Sequence, residues 1–422
     1  MKLLIAAVIA FACLRGAAAA PLPAATPAAQ GMSAERLGRL DNFMQDLTGP
    51  GGYLGAVALV ARNGKIVDYA AYGYRDLGRR DKLQRDAIFR IYSMTKAVTA
   101  VAVLTLMEEG KLGLEDPIAN YLPEFAQVRV FDSGTADAPV TREAGAPITV
   151  RQLLSHTPGF AVYGRRADPV NVLFDRAALS SSPDLKEYVA RLARLPLAHE
   201  PGAQFHYDGV SVQVASRLVE VVGKMPFDRF LQQRIFAPLR MADTGFEVAP
   251  AKRARIAAMT TTDAAGQLVA PAPGTVAPAG ERMNPYFSGA GGLYSSAADY
   301  ARFAQMLLNG GELDGKQVLG RKSVELMMQN HLSHLTPPVS EFSAAEGFGL
   351  GGSVVLDVAR RGRLGSVGQF GWSGAGGTWF TIDPKEKLVA ILMTQHLPQG
   401  LPNDPRKPTV RFSNLVYQSL RK

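Results

Sequence analysis

Ser93 and Lys96 stand three residues apart, in Ser93-Met94-Thr95-Lys96, at the mouth of a long apolar stretch. A serine hydroxyl holds its proton at neutral pH and is a poor nucleophile, so chemistry at it requires a base within hydrogen-bond reach. On a helix, residues three apart share a face with β-carbons roughly 5–6 Å apart, and the long Lys96 side chain can fold back onto the Ser93 hydroxyl. Ser-x-x-Lys then supplies a nucleophile and its base within one turn. At the first turn of the helix, the positive end of the dipole also favours an anion developing at Ser93. A chain with fourteen lysines meets this pattern by chance about once, so the surroundings must decide. From Ile91 to Gly110 the sequence is apolar on most sides and ends in glycine where a helix C-cap is expected, which predicts a buried central helix. A lysine one turn inside it must be neutralised, paired or put to use, because an unpaired buried ammonium is costly. The alternative is a Lys96 that snorkels to water beside a Ser93 that only caps the helix.

Composition narrows the function classes. The chain has 422 residues, 47% of them apolar, which is enough to bury a sizeable core. Residues 1–20 read as a secretion signal: Lys2, the apolar run Leu3 to Leu14, then Ala17 to Ala20, with cleavage near Ala18 or Ala19. The run is too short to span a bilayer. A periplasmic or secreted protein is expected; Ala10 and Phe11 argue against a lipoprotein anchor at Cys13. Cys13 is the only cysteine, so the mature chain has neither disulfide nor thiol chemistry. Without Lys2 and Arg15 the formal charge falls from +9 to +7, and the basic residues are scattered, as in Arg79-Arg80 and Arg360-Arg361. This reads as solvated surface rather than a nucleic-acid or membrane patch. Gly347 to Gly352 matches a dinucleotide-binding glycine pattern, but strand-like residues follow where a helix is required. His331 and His334 share a spacing without a third ligand at a matching offset. No metal and no cofactor is implied.

The elements that must hold Ser93 are also visible. A Pro/Ala linker, residues 21–31, precedes a helical period over 34–47. Apolar runs at 54–61 and 65–72 flank Arg62-Asn63-Gly64, a hairpin signal. A loop at 124–147, rich in Gly, Ala and Asp, is a candidate active-site wall. Strand-type sequence returns at 348–358, 363–372, 378–383 and 388–394, with a turn at Asp383-Pro384-Lys385-Glu386, and a helix is expected over 409–420. The order predicts an α/β (α+β) protein. Residues 32–84 and 346–422 form one antiparallel sheet with flanking helices, residues 85–345 form a mainly helical domain, and the active site lies between them.

With these residues in place, the chain resembles the serine β-lactamase and penicillin-recognising enzymes, most closely class C β-lactamase-like hydrolases and family VIII carboxylesterases. Five landmarks carry the resemblance in order: Ser93 to Lys96, Gly110 to Pro117, Ile148 to Gly159, Pro201 to Tyr207, and Gly289 to Ser295. It implies a β-lactamase-like fold. It also implies Tyr207 as a second catalytic side chain sharing proton traffic with Lys96, and a substrate-binding strand edge at Trp372-Ser373-Gly374. The backbone N–H groups of Ser93 and Ala375 are implied as the oxyanion hole. Two departures matter: Gly209 stands where many relatives have Asn, and Trp372 where they have Lys or His. Without those polar groups the site has less reason to prefer a peptide or β-lactam. A small-molecule ester of a short acyl chain is the expected substrate. β-Lactamase or D-alanyl-D-alanine peptidase activity is the alternative, and a non-catalytic cell-envelope binding protein is an alternative of another class. His156 is read as structural. A rival nucleophile, Ser373 in Gly371-Trp372-Ser373-Gly374 with Asp383 and His396 downstream, approaches another hydrolase pattern but lacks its fifth glycine and following helix.

Overall fold

The computed structural model describes residues 21–160 and 168–421; the expected leader, with Cys13, lies outside them. Helix α1 (Ala34–Leu47) starts at Ser33, whose hydroxyl accepts from the Arg36 N–H. Strands β1 (Gly55–Arg62) and β2 (Lys65–Gly73) follow as a hairpin. Its turn residues, Asn63 and Gly64, both have positive φ, 51° and 74°, the geometry for which Asn-Gly is favoured. Five further strands come from the end of the chain: β3 (Glu346–Phe348), β4 (Ser353–Val355), β5 (Phe370–Ser373), β6 (Trp379–Asp383) and β7 (Leu388–Thr394). The sheet order is β3-β4-β5-β6-β7-β1-β2, antiparallel throughout. Leu59 pairs with Ile391, so the two chain ends are joined at β1 and β7.

Both faces of the sheet are covered. Along β1, Ala56, Ala58 and Val60 face one core with α1 and the terminal helix, while Val57, Leu59 and Ala61 face the main core. A strand buried on both faces needs an unbroken apolar run, which is what Ala56 to Ala61 provides. The helices that matter to the site are α2 (Thr95–Glu108), α3 (Val210–Gly223), α4 (Ala297–Leu308) and the terminal α5 (Thr409–Tyr417). Every residue of α2 from Thr95 to Leu106 is buried, which explains its lack of a polar face. Helix α3 packs against α2, and α4 against β7.

The mixed α/β architecture with a large antiparallel sheet agrees with the expectation, and several local readings are corrected. The stretch 348–358 is not one strand: β3 and β4 reverse through Gly349 to Gly352, and a short helix follows at Val358–Arg361. These glycines are points of close backbone approach. Gly351 has φ 82°, and a β-carbon there would lie 2.8 Å from the carbonyl oxygen of Lys96. Of the expected strand 363–372 only Phe370 to Trp372 joins the sheet, and the strand runs on to Ser373. The loop at 124–147 contains a hairpin, Arg129–Gly134 with Pro139–Glu143. Residues 21–31 do not hang free: Leu22 is buried, and Ile66 of β2 exchanges backbone hydrogen bonds of 2.9 Å with Pro23 and Ala25. Among the described residues, no helix is long and apolar enough to cross a membrane.

Candidate active site

Ser93 lies in a 3-10 turn, Tyr92–Met94, that runs directly into α2, one step earlier than the first α-turn expected from sequence. Tyr92 holds φ at 42°, an unusual value for an aromatic residue and of the kind concentrated at functional sites. Its neighbours over-determine it. The Thr378 hydroxyl donates to the Ile91 carbonyl at 3.2 Å, and at Gly374 a β-carbon would approach that same oxygen to 2.4 Å.

Lys96 is 3% exposed, so it does not reach bulk water. Its Nζ lies 3.0 Å from Ser93 Oγ and 2.7 Å from the carbonyl oxygen of Ala290, and 4.8 Å from the centre of the Tyr207 ring. The Ala290 carbonyl is itself held in place. Thr99 donates to the Gly289 carbonyl at 2.9 Å, Gln213 to the Ser288 hydroxyl at 2.7 Å, and the Leu293 N–H to Thr95 at 3.3 Å. Gly289 is required there: a β-carbon would overlap the hydroxyls of Ser216 and Thr99 at 2.1 and 2.6 Å. The landmark from Gly289 to Ser295 thus fixes the lysine's second partner.

Tyr207 sits just before α3, whose N-cap is Gly209. Its hydroxyl accepts from the Trp372 indole N–H at 2.8 Å, and its backbone N–H donates to Glu341 at 3.1 Å. Behind it lies His156, ring centre to ring centre 4.7 Å. The landmark from Ile148 to Gly159 is a helix (Val150–Ser155) with a Thr149/Gln152 capping box and His156 as a left-handed C-cap at φ 57°. Burial holds the His156 imidazole below its usual titration range, with Asp208 acting in the opposite direction, so the ring is uncharged at neutral pH. Asp208 in turn accepts from the Ser211 N–H and hydroxyl at 2.6 and 2.7 Å, anchoring the start of α3.

The strand edge at Trp372, Ser373 and Gly374 lies against these elements, Trp372 at Tyr207 and Gly374 at Ile91. The Gly374 N–H bonds the Thr378 carbonyl and the Gly377 N–H the Gly374 carbonyl, at 2.8 and 3.0 Å, forming a turn that leaves the Ala375 N–H out of its closing bonds. That turn rests on Ile91 and Tyr92, since a β-carbon at Gly376 would meet the Tyr92 ring at 3.1 Å. At Gly209 a β-carbon would make only ordinary contact, 3.6 Å, with Ala290.

The rival constellation is not assembled. Ser373 pairs with Trp379, so Asp383, four residues further along β6, lies about 13 Å away at ~3.3 Å per residue. The Asp383 carboxylate accepts from the Tyr417 hydroxyl at 2.7 Å and from two turn N–H groups, while His396 contacts Thr260 at 3.0 Å. His331 and His334 also part company: one contacts Arg151 and the Leu326 carbonyl, the other the Gly202 carbonyl. Sequence reasoning missed Glu341 and Phe342. They occupy a loop without periodicity or motif, and only the fold brings Phe342 to within 5.4 Å of the Tyr207 ring.

The arrangement offers a hydroxyl, an amine in contact with it, and a phenol whose ring the amine touches, which is the equipment for nucleophilic substitution with proton transfer. Comparisons with known proteins point the same way. Residues 40–412 match the family model "Beta-lactamase". The esterase EstB of Burkholderia gladioli is 27% identical over 370 residues, covering 82% of this chain and 87% of EstB. A protein of Escherichia coli O157:H7 named "Putative D-alanyl-D-alanine carboxypeptidase" is 28% identical over 432 residues, covering 96% of this chain and 93% of its own. The structure of EstCE1, titled a hydrolase with promiscuous acyltransferase activity, superposes with TM-score 0.75 at 25% identity over 90% of this chain and 98% of EstCE1. The fold, the five landmarks and the match over most of the sequence make this chain a member of the beta-lactamase family.

Proposed function

We propose that the protein is a serine hydrolase that works through an acyl-enzyme and acts as a carboxylesterase on short-chain acyl esters. The observation that carries this reading is the 3.0 Å contact of Lys96 Nζ with Ser93 Oγ, with the Ala290 carbonyl fixing the amine from the other side. In its amine form Lys96 donates to Ala290 and accepts the Ser93 proton as Oγ attacks the ester carbonyl. The Ser93 and Ala375 N–H groups hold the oxyanion, a role worth about 3 kcal/mol of barrier per donor. The proton passes through Tyr207 to the leaving alcohol, and water then releases the acid by the reverse route. Export through the leader at 1–20 is part of this reading; an N-terminus near residue 19 on protein recovered outside the cytoplasm tests it.

Two features favour esters over amides. Trp372 commits its only polar group to the Tyr207 hydroxyl, and Gly209 has no side chain, so neither offers a substrate amide or carboxylate a partner. A site built on such hydrogen bonds discriminates by several kcal/mol, whereas an apolar site separates acyl lengths by only about 1–3 kcal/mol per methylene. The test compares kcat/KM for p-nitrophenyl acetate and butyrate with that for a chromogenic cephalosporin. Ready ester hydrolysis with weak cephalosporin turnover is expected. Cephalosporin turnover equal to that of butyrate would instead favour a β-lactamase or D-alanyl-D-alanine peptidase. No turnover of either by folded protein would favour a binding protein.

A further inference from the structure

Phe342 is 56% exposed yet is not a scattered surface residue. Its ring meets Tyr207 at 5.4 Å and 78° and Trp372 at 5.7 Å and 64°, and those two rings meet each other at 5.1 Å. Three contacts separate it from the nucleophile: Phe342 to the Tyr207 ring, that ring to Lys96 at 4.8 Å, and Lys96 to Ser93 at 3.0 Å. The corner is built, not incidental. Phe348, fully buried, supports Trp372 from behind at 5.0 Å, and the loop carrying Phe342 is pinned by the Tyr207 N–H on Glu341 and by the Ser340 N–H on the Glu346 carbonyl at 2.8 Å. Because the indole N–H is already satisfied, the ring faces present carbon.

We infer that Phe342 and Trp372 form a binding corner for an aromatic ring carried by the ester substrate, with Phe342 setting the preference for it. This rests on the reading of Ser93 as the reacting group. Edge-to-face and offset packing at centroid separations of about 4.5–7 Å is the arrangement aromatic rings prefer, and a third ring entering the corner gains it against two partners at once. The ring belongs to the acyl or to the alcohol part of the ester, two sources with the same chemistry at the corner.

The experiment uses ethyl acetate, benzyl acetate (ring on the alcohol) and ethyl phenylacetate (ring on the acid) in a pH-stat assay. For wild type, the kcat/KM ratio of one ring-bearing ester to ethyl acetate should exceed that of Phe342→Ala by about tenfold, and Phe342→Tyr should keep the wild-type ratio. A binding measurement runs beside it. Of the two tryptophans, Trp379 is buried against Phe412 on the other side of the sheet, so acrylamide quenching reports chiefly on Trp372. Benzyl alcohol should shield Trp372 in wild type and in Ser93→Ala, and not in Phe342→Ala. Ester hydrolysis with an unchanged ratio in Phe342→Ala, or without shielding, would overturn the aromatic corner and leave the esterase reading standing. Phe342-dependent shielding in a protein that hydrolyses none of the three esters would do the reverse, and absence of both hydrolysis and shielding would remove both.

Discussion

Replacing Lys96 by methionine keeps the length of the side chain and removes the amine, so it tests what the amine does. Two contacts disappear, those to Ser93 and to the Ala290 carbonyl. Leaving a buried carbonyl unpaired costs about 1–3 kcal/mol, partly offset because an amine no longer has to be buried. A domain with about 5–15 kcal/mol of stability stays predominantly folded after that loss, and the thermal midpoint should fall by a few degrees. Losing a positioned general base costs about 10²–10⁴ in rate, or roughly 3–5 kcal/mol of barrier, far more than the change in folded population can explain. Hydrolysis of p-nitrophenyl butyrate and a circular-dichroism melt on the same preparation separate the two effects. Lys96→Arg adds a control, because a guanidinium retains charge and donors but does not give up its proton in proteins; it too should be inactive. A folded Lys96→Met variant with activity within about threefold of wild type would refute the assignment of the base. An active Lys96→Arg variant would show that positive charge, not proton acceptance, is what Ser93 needs.

Trp372→Phe removes the N–H that holds the Tyr207 hydroxyl while keeping an aromatic ring; a net hydrogen bond of about 0.5–1.5 kcal/mol corresponds to a loss of about two- to tenfold in kcat/KM, against at least about 100-fold for Tyr207→Phe. Equal losses in the two variants, measured on p-nitrophenyl acetate, would place the catalytic burden on the indole instead. On the other side of the sheet, burial and the neighbouring Asp41 push the Asp68 carboxyl up to about 7. Its folded pKa therefore exceeds the unfolded value, so the native state loses stability as pH rises from about 4 to 7, by up to about 4 kcal/mol. Asp68→Asn should raise the melting temperature at pH 8 and leave it unchanged at pH 4; the same shift at both would show that Asp68 titrates normally.

Local chemistry was legible wherever a single residue type satisfied a local demand. Asn63-Gly64 marks the hairpin because both positions need positive φ, and the all-round apolar run after Ser93 marks a buried helix. The β-lactamase-like fold followed from landmarks whose order was plain in the sequence. What escaped depends on contacts distant in sequence. The stretch 348–358 reads as one strand because nothing local says that the backbone of Lys96 lies against Gly351. The hairpin within 124–147 is largely exposed, so it shows no apolar alternation to read. Phe342 looks like an isolated surface aromatic until Tyr207 and Trp372, 135 and 30 positions away by their numbers, are brought against it.

The central claim is that Ser93 forms the covalent bond, and labelling with a fluorophosphonate followed by peptide mapping tests it most directly. Wild type and Ser373→Ala should both carry the label on the peptide containing Ser93, and Ser93→Ala should carry none. A label that persists in Ser93→Ala, or that maps to Ser373 in the wild-type protein, would contradict it.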